Sequence, residues 1–264
     1  MGYRCAMTKK PRAVAATSPP VRFEAVDALR GLAMVWMTVF HFSFDLNQFG
    51  YLKQDFYHDP LWTWQRTLIV SLFLFCAGLG QAIAVAQGQS WPRFWRRWAQ
   101  VLICALLVTL GSWWMYPQSY IYFGVLHGMA LMLIIARLTV QWGGRLWWLG
   151  AAAIASQLIA VYAINTWATA ELITIFNAKQ LNWLGLVTQK PITEDYVPLL
   201  PWLGVMWWGV AAGTWLTRQG AALSWPLPAA LKPLAMLGRW SLSYYMLHQP
   251  VMIGALMALG WLAK

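Results

Sequence analysis

Seven stretches of this chain, each about 20 residues long, consist almost entirely of apolar residues. A helix of that length crosses the hydrocarbon core of a bilayer, which is roughly 30 Å thick. Hydrophobic residues make up 60% of the chain and charged residues 10%, too few polar groups to cover a water-soluble globule. The sequence therefore predicts an integral membrane protein of the all-α class. We expect a polytopic helical bundle with spans at 28–46, 67–87, 98–115, 121–140, 146–164, 198–217 and 240–262.

The basic residues are distributed unevenly between the two sides of these predicted spans. If the N-terminus is cytoplasmic, all but five of the 19 Lys and Arg residues fall on that side. The positive-inside rule then predicts a cytoplasmic N-terminus and an external C-terminus for about seven spans. This asymmetry and contact with anionic lipid explain the net charge of +11 without any nucleic-acid partner. The five basic residues on the outer side are Lys53, Arg66, Lys179, Lys190 and Lys264.

The first 22 residues are polar, basic and contain three prolines. We expect a disordered cytoplasmic tail at 1–22, followed by one transmembrane domain at 23–264. A cleaved signal peptide is not expected, because the first apolar run has the full length of a span. The three cysteines and four histidines lack the spacing of a disulfide framework or a metal site, so neither is predicted.

The first span carries polar side chains along one helix face. Ionisable groups inside a span cost roughly 2.5 to 3.5 kcal/mol each on insertion scales, and they usually have a function. Arg30 and His41 lie about 16 Å apart along the helix axis. Asp45, one turn beyond His41, is predicted to hold its imidazole in one tautomer, as a general base requires. The alternative is a structural Asp27–Arg30 ion pair with a hydrogen-bonded buried histidine. The residues of this face, spaced by three or four positions, are Asp27, Arg30, Met34, Met37, His41 and Asp45.

Polar residues also stand where the fourth and sixth spans begin. His127 enters the fourth span about one turn below the outer surface, where it either lines a pocket or only hydrogen-bonds in the packing. Asp195 precedes the sixth span, whose first turn contains Pro198 and Pro201. We expect Asp195 to cap that helix or to place a charge at the outer mouth of the bundle.

In the last span, Pro250 removes a backbone hydrogen bond near the middle of the membrane, beside His248 and Gln249. These polar side chains either hydrogen-bond the backbone carbonyls that the proline leaves without a partner, or line a cavity together with side chains three or four residues apart on the same helix. The residues of the later spans that we expect to line a pocket are His127, Asp195, Trp202, Ser241, Tyr245, His248 and Gln249.

Three loops are also notable. The outer segments 47–66 and 165–197 are long enough to form a lid over the bundle. The inner segment 88–97, GQSWPRFWRR, is predicted to be a loop that contacts lipid headgroups or a phosphorylated ligand.

Several segments, in this order, resemble those of one known family. The run Asp27-Ala-Leu-Arg-Gly-Leu-Ala33, with His41-Phe42 and Phe44-Asp-Leu46 after it, resembles the opening of bacterial proteins grouped with the catalytic domain of heparan-alpha-glucosaminide N-acetyltransferase. Each motif alone is weak, but the ordered set is specific and covers roughly residues 22–255. The later segments that resemble the family are 71–78, 123–127, 198–202 and 241–250.

The resemblance implies a place in the wider transmembrane acyltransferase superfamily. Its members use cytoplasmic acyl-coenzyme A to modify an acceptor, often a sugar, at the far face of the membrane. In a related O-acyltransferase branch, a functional arginine and histidine eleven residues apart match Arg30 and His41. In the heparan enzyme the active histidine lies in the following outer loop, where His58 is the nearest equivalent here. The resemblance also implies a location in the bacterial cytoplasmic membrane.

We accordingly expect catalytic residues on the first span and in the first outer loop, and coenzyme-binding residues at the inner face. The expected catalytic residues are His41, Asp45 and His58, and the expected coenzyme-binding residues are Asp27, Arg30, Gly31 and Arg239. Acetyl-coenzyme A or another acyl-coenzyme A is the expected donor, without a metal, and the expected partners are membrane lipid and a glycan-like acceptor. A homo-oligomer is possible. A non-enzymatic membrane subunit and a small-molecule transporter are the alternative functions.

Overall fold

The computed structural model of the chain describes residues 23–219 and 227–262. The tail predicted at 1–22 lies outside the described residues. The described ranges are predominantly helical and contain no β-strand, which confirms the all-α class. The α-helices in these ranges are Glu24–Gln48 (α1), Pro60–Ala86 (α2), Trp91–Met115 (α3), Val125–Thr139 (α4), Arg145–Trp167 (α5), Ala170–Phe176 (α6), Trp202–Arg218 (α7), Lys232–Arg239 (α8) and Ser241–Leu262 (α9).

Each predicted span overlaps one long helix. In the described part of the chain, six helices are long and apolar enough to cross a membrane: α1, α2, α3, α4 with the 3₁₀ turn that continues it to Trp142, α5 and α9. The polytopic helical bundle is therefore confirmed. The helix at the sixth predicted span, α7, has 17 residues, because its entry through Pro198 and Pro201 is a turn. The total of seven spans and their orientation stay predictions.

The segment 88–97 is not the loop that we predicted. Helix α3 begins at Trp91, so Arg93, Arg96 and Arg97 lie on a helix. The physical reason is Pro92, which occupies the first turn of α3, where a missing backbone N–H breaks no helical hydrogen bond.

Helices α2 and α7 form the centre of the bundle and run parallel to each other. Their backbones touch, because a Cβ placed on Gly78 would lie 2.1 Å from the Met206 carbonyl oxygen, and one on Gly209 would lie 2.1 Å from that of Phe75. Small residues at such contacts let membrane helices approach closely enough for extensive van der Waals packing. Helices α3, α5 and α9 lie at the periphery and expose long apolar side chains, as surfaces facing lipid do.

Helix α1 runs parallel to α9 and antiparallel to α2. We call the end of the bundle where α1 begins the inner end, and the opposite one the outer end. The short helix α8 packs across the first turns of α1, with Gly31 against the Leu234 carbonyl and Gly238 against the Asp27 carbonyl. At the outer end the segment 168–201 folds back over the start of α4, where the Val197 N–H donates to the Phe123 carbonyl.

Candidate functional site

Three polar pairs join α1 to α9, and we call this contact the α1–α9 seam. The α1 members lie at spacings of three and four, so they share the face on which the sequence places the stripe of polar residues. Thr38 and Tyr244 were not predicted, because a hydroxyl on an apolar helix is common and gives no local signal. From the inner to the outer end, the pairs are Thr38 Oγ1 with Tyr244 OH at 2.7 Å, His41 Nδ1 with His248 Nε2 at 2.8 Å, and Asp45 Oδ1 with Gln249 Nε2 at 2.7 Å.

The hydrogen bonds of the two histidines define which ring nitrogens carry protons. The Nδ1 of His248 lies 2.7 Å from the Tyr245 carbonyl oxygen, which can only accept, so this nitrogen is the donor. In a neutral ring the Nε2 of His248 is then an acceptor, and the Nδ1 of His41 must donate to it. The Nε2 of His41 is left without a proton. This is the form of imidazole that can act as a general base.

Asp45 does not hold the His41 ring, contrary to our prediction. Its Oδ1 accepts the hydrogen bond of the Gln249 amide, while His248 takes the place that we had assigned to Asp45. The carboxylate of Asp45 is buried, and its Oδ2 and the Oε1 of Gln249 have no hydrogen-bond partner among the described residues. Two buried acceptors of this kind next to a histidine suit the N–H or O–H groups of a ligand or of water.

At the inner end, the expected coenzyme-binding residues form an ion-pair network. Arg30 lies 3.3 Å from Asp27, Arg239 lies 3.3 Å from Glu24, and Arg239 also lies 3.7 Å from Asp27. The structural Asp27–Arg30 pair that we considered as an alternative is present. Arg239, Glu24 and Lys232 line a cavity of ≈ 210 Å³ beside α8. Both arginines keep partly exposed side chains, so they can still donate to a further anion.

Gly31 packs against α8. A Cβ at this position would lie 1.9 Å from the Leu234 carbonyl oxygen. This packing contact does not test coenzyme binding by Gly31, which stays a prediction. The glycine is needed because the backbones of α1 and α8 touch there.

His58 lies apart from the seam. Its side chain is 87% exposed, and its Nδ1 lies 2.9 Å from Asp55 Oδ2 in the loop between α1 and α2. The neighbouring Phe56 is buried and packs edge-on against Phe40 of α1, so the loop is anchored while His58 points away from the core. The Asp55 side chain accepts the backbone N–H and ring N–H of His58, and these bonds hold the pKa of Asp55 below its usual value.

His127 and Asp195 together stabilise the start of α4. The Nδ1 of His127 accepts the Gly124 N–H at 3.3 Å, and its Nε2 lies 3.0 Å from Thr109 Oγ1. Asp195 accepts the Val125 N–H at 2.7 Å, so it caps α4 and not the helix that follows it in the chain. Both nitrogens of His127 are therefore used in packing, which is the structural alternative for this residue.

A cavity of ≈ 340 Å³ opens at the outer end, between α2, α5, α7 and the segment that precedes α7. Of the expected pocket residues, Asp195 and Trp202 line it. His248, Gln249 and Tyr245 belong to the α1–α9 seam and its surroundings, and Ser241 begins α9 two turns before His248. Other residues that line this outer cavity are Arg66, Gln157, Lys190, Glu194, Tyr196 and Pro198.

Arg66 and Lys190 are functional candidates that the motifs did not reveal. A signal was nevertheless present, because both belong to the few basic residues on the outer side of the positive-inside asymmetry. No three His, Cys, Asp or Glu side chains in 23–219 and 227–262 are grouped as metal ligands.

A bundle of membrane-crossing helices that places two hydrogen-bonded histidines and a buried carboxylate between α1 and α9, the first and last of the described helices, defines a multi-pass membrane protein with an internal polar site. Comparison with family models matches residues 22–250 to the catalytic domain of heparan-alpha-glucosaminide N-acetyltransferase. The chain belongs to this family, and it is a membrane acyltransferase-like protein. The matched range contains the whole α1–α9 seam. No curated protein and no solved structure matches the chain.

Proposed function

We propose that this protein transfers an acetyl-type group from cytoplasmic acyl-coenzyme A to a glycan-like acceptor on the far side of the membrane. The observation that carries the proposal is the histidine pair of the α1–α9 seam, which leaves the Nε2 of His41 free to take a proton. Membership of an N-acetyltransferase family supports the class of reaction.

The donor binds at the inner end. Acyl-coenzyme A carries several phosphate charges on a long, thin molecule, and arginine side chains bind phosphates by charge-assisted hydrogen bonds. Arg239 and Lys232, which line the inner cavity, bind these phosphates. Arg30 lies on α1 about one turn further from the inner end than Asp27, the residue next to Arg239. Helix α1 is continuous from Glu24 to Gln48, so Arg30 and His41 are separated by about 16 Å of helix, which the extended arm of the coenzyme spans.

His41 removes the proton from the acceptor hydroxyl or amine while that atom attacks the thioester carbonyl carbon. The bond between this carbon and the thioester sulfur then breaks, and the coenzyme leaves as the thiol with the proton returned by His41. While His41 carries the extra proton, its Nδ1–H donates a charge-assisted hydrogen bond to His248. Asp45 Oδ2 and Gln249 Oε1 accept hydrogen bonds from the acceptor, which brings its donor groups next to His41.

The experiment compares two histidines in the purified protein in nanodiscs. Release of free coenzyme thiol from acetyl-coenzyme A is measured with a panel of amino sugars and glycans for wild type, His41→Gln and His58→Gln. Loss of the general base predicts a rate lower by about 10²- to 10⁴-fold in His41→Gln. His58→Gln is the matched control and is expected to keep the wild-type rate, because its ring is exposed and paired with Asp55.

Full turnover in His41→Gln would show that His41 is not the general base. Loss of turnover in His58→Gln alone would indicate that the base lies in the outer loop. A wild-type protein that neither gains thermal stability from acetyl-coenzyme A nor releases thiol contradicts the proposed function. Solute flux in proteoliposomes without thiol release would identify a transporter.

A further inference from the structure

Two cations face the outer cavity without an ion-pair partner among the described residues. Arg66 of α2 and Lys190 of the outer segment both line the cavity, and neither has a carboxylate oxygen within 4.0 Å in the described ranges. The Lys190 ammonium lies 5.1 Å from the centre of the Tyr57 ring, so it is held at the rim of the cavity.

The two carboxylates of the same cavity are already engaged. Asp195 accepts the Val125 N–H in the cap of α4, and Glu194 accepts the hydroxyl of Ser119. Their formal charges balance those of Arg66 and Lys190, but hydrogen bonds to other partners hold the two carboxylates in place, and neither forms an ion pair with the two cations.

The charge of Arg66 acts on Lys190. Partial desolvation of the ammonium by its neighbours and then the like charge of Arg66 lower the pKa of Lys190, and Asp195 and Glu194 offset only part of this. An anion bound between the two cations would relieve this repulsion and would be bound by both.

We infer that the outer cavity binds the acidic group of the acceptor, with the carboxylate of an acidic sugar held between Arg66 and Lys190. This inference rests on the proposed function, in which the acceptor is glycan-like. The volume of ≈ 340 Å³ falls in the range of small-molecule sites. Trp202 and Tyr196 give the cavity an amphipathic wall, as a ligand with an apolar ring face and polar edges requires.

The test uses glucuronate and glucose as a matched anionic and neutral pair. Thermal stabilisation of the purified protein in zwitterionic nanodiscs is titrated with each sugar for wild type, Arg66→Gln/Lys190→Gln and Lys53→Gln. We expect wild type to prefer glucuronate by about tenfold, as for a charge-assisted hydrogen bond, and the double variant to lose this preference. Lys53→Gln removes an exposed outer lysine that does not line the cavity, and it should behave as wild type.

Equal response of wild type to both sugars, or an unchanged preference in a folded double variant, would overturn the inference. If inorganic phosphate stabilises the protein as much as glucuronate does, the cavity binds anions in general and does not recognise a sugar. Loss of the glucuronate preference in nanodiscs that contain anionic lipid would show that Arg66 and Lys190 bind lipid headgroups.

Thiol release with a neutral amino sugar is measured in parallel. Turnover without a glucuronate preference refutes the inference alone, and a preference without turnover on any acceptor refutes the proposed function alone.

Discussion

Removal of the His248 ring tests whether the histidine pair of the α1–α9 seam works as a unit. The 2.8 Å bond to His248 satisfies the Nδ1–H of His41, and His248→Ala leaves this donor without a partner. A buried donor without a partner costs about 1 to 3 kcal/mol. The same bond becomes charge-assisted when His41 takes up the proton in the transition state, so its loss also raises the barrier, and a loss of about 1 to 2 kcal/mol there corresponds to a rate lower by about 5- to 30-fold.

The assay is thiol release from acetyl-coenzyme A at saturating acceptor, with thermal unfolding measured on the same samples. His248→Gln is the conservative control, because its amide oxygen can accept the His41 Nδ1–H, and we expect it to recover most of the rate lost in His248→Ala. The double variant His41→Gln/His248→Ala should be no slower than His41→Gln alone, since His248 acts only through His41.

Two results would refute this reasoning. Losses that multiply in the double variant would show that His248 acts on the reaction independently of His41. A His248→Ala protein with the wild-type rate and an unchanged dependence of rate on pH would show that the hydrogen bond between the rings does not orient the base.

Two further predictions concern stability. Gly238→Ala places a Cβ 1.8 Å from the Asp27 carbonyl oxygen, so it should lower the free energy of unfolding by about 1 to 3 kcal/mol and lower Tm. Gly254→Ala is the control, because a Cβ at that position has no atom within 4 Å. Equal Tm values for the two variants would contradict the close contact between α1 and α8. Burial raises the pKa of Asp195 above its ordinary 3.8, against the opposing effect of the Val125 N–H. The folded state therefore holds this proton more tightly, and the contribution of Asp195 to stability falls as pH rises from the unfolded to the folded pKa. Asp195→Asn keeps an oxygen acceptor for Val125 and should flatten this part of the stability–pH profile, so an identical slope in both proteins would contradict the assignment.

The periodicity of α1 predicted which of its side chains share a face, and in the structure the outer part of this face, at His41 and Asp45, meets α9. It did not predict their partners. Asp45 was expected to bond His41 because residues four apart are neighbours on a helix. The structure places Gln249, 204 residues away, on that carboxylate, and one helix's periodicity contains no information about the side chains of another.

Asp195 illustrates the same limit in the loops. A cap normally precedes its helix in the sequence, so Asp195 was expected to cap α7 or to place a charge at the outer mouth of the bundle. The outer segment folds back, however, and presents Asp195 to Val125, 70 residues earlier in the chain. Arg66 and Lys190 come together through the same folding, which no spacing in the sequence describes.

The α1–α9 seam also constrains how the protein is made. Helix α1 is synthesised before the other described helices, and α9 after all of them. During most of translation, His41 and Asp45 therefore lie in or near the membrane without their partners, and groups of this kind are costly there. Insertion of α9 supplies these partners, so the histidine pair can form only at this late stage. A ribosome-bound intermediate that lacks α9 would not have this pair.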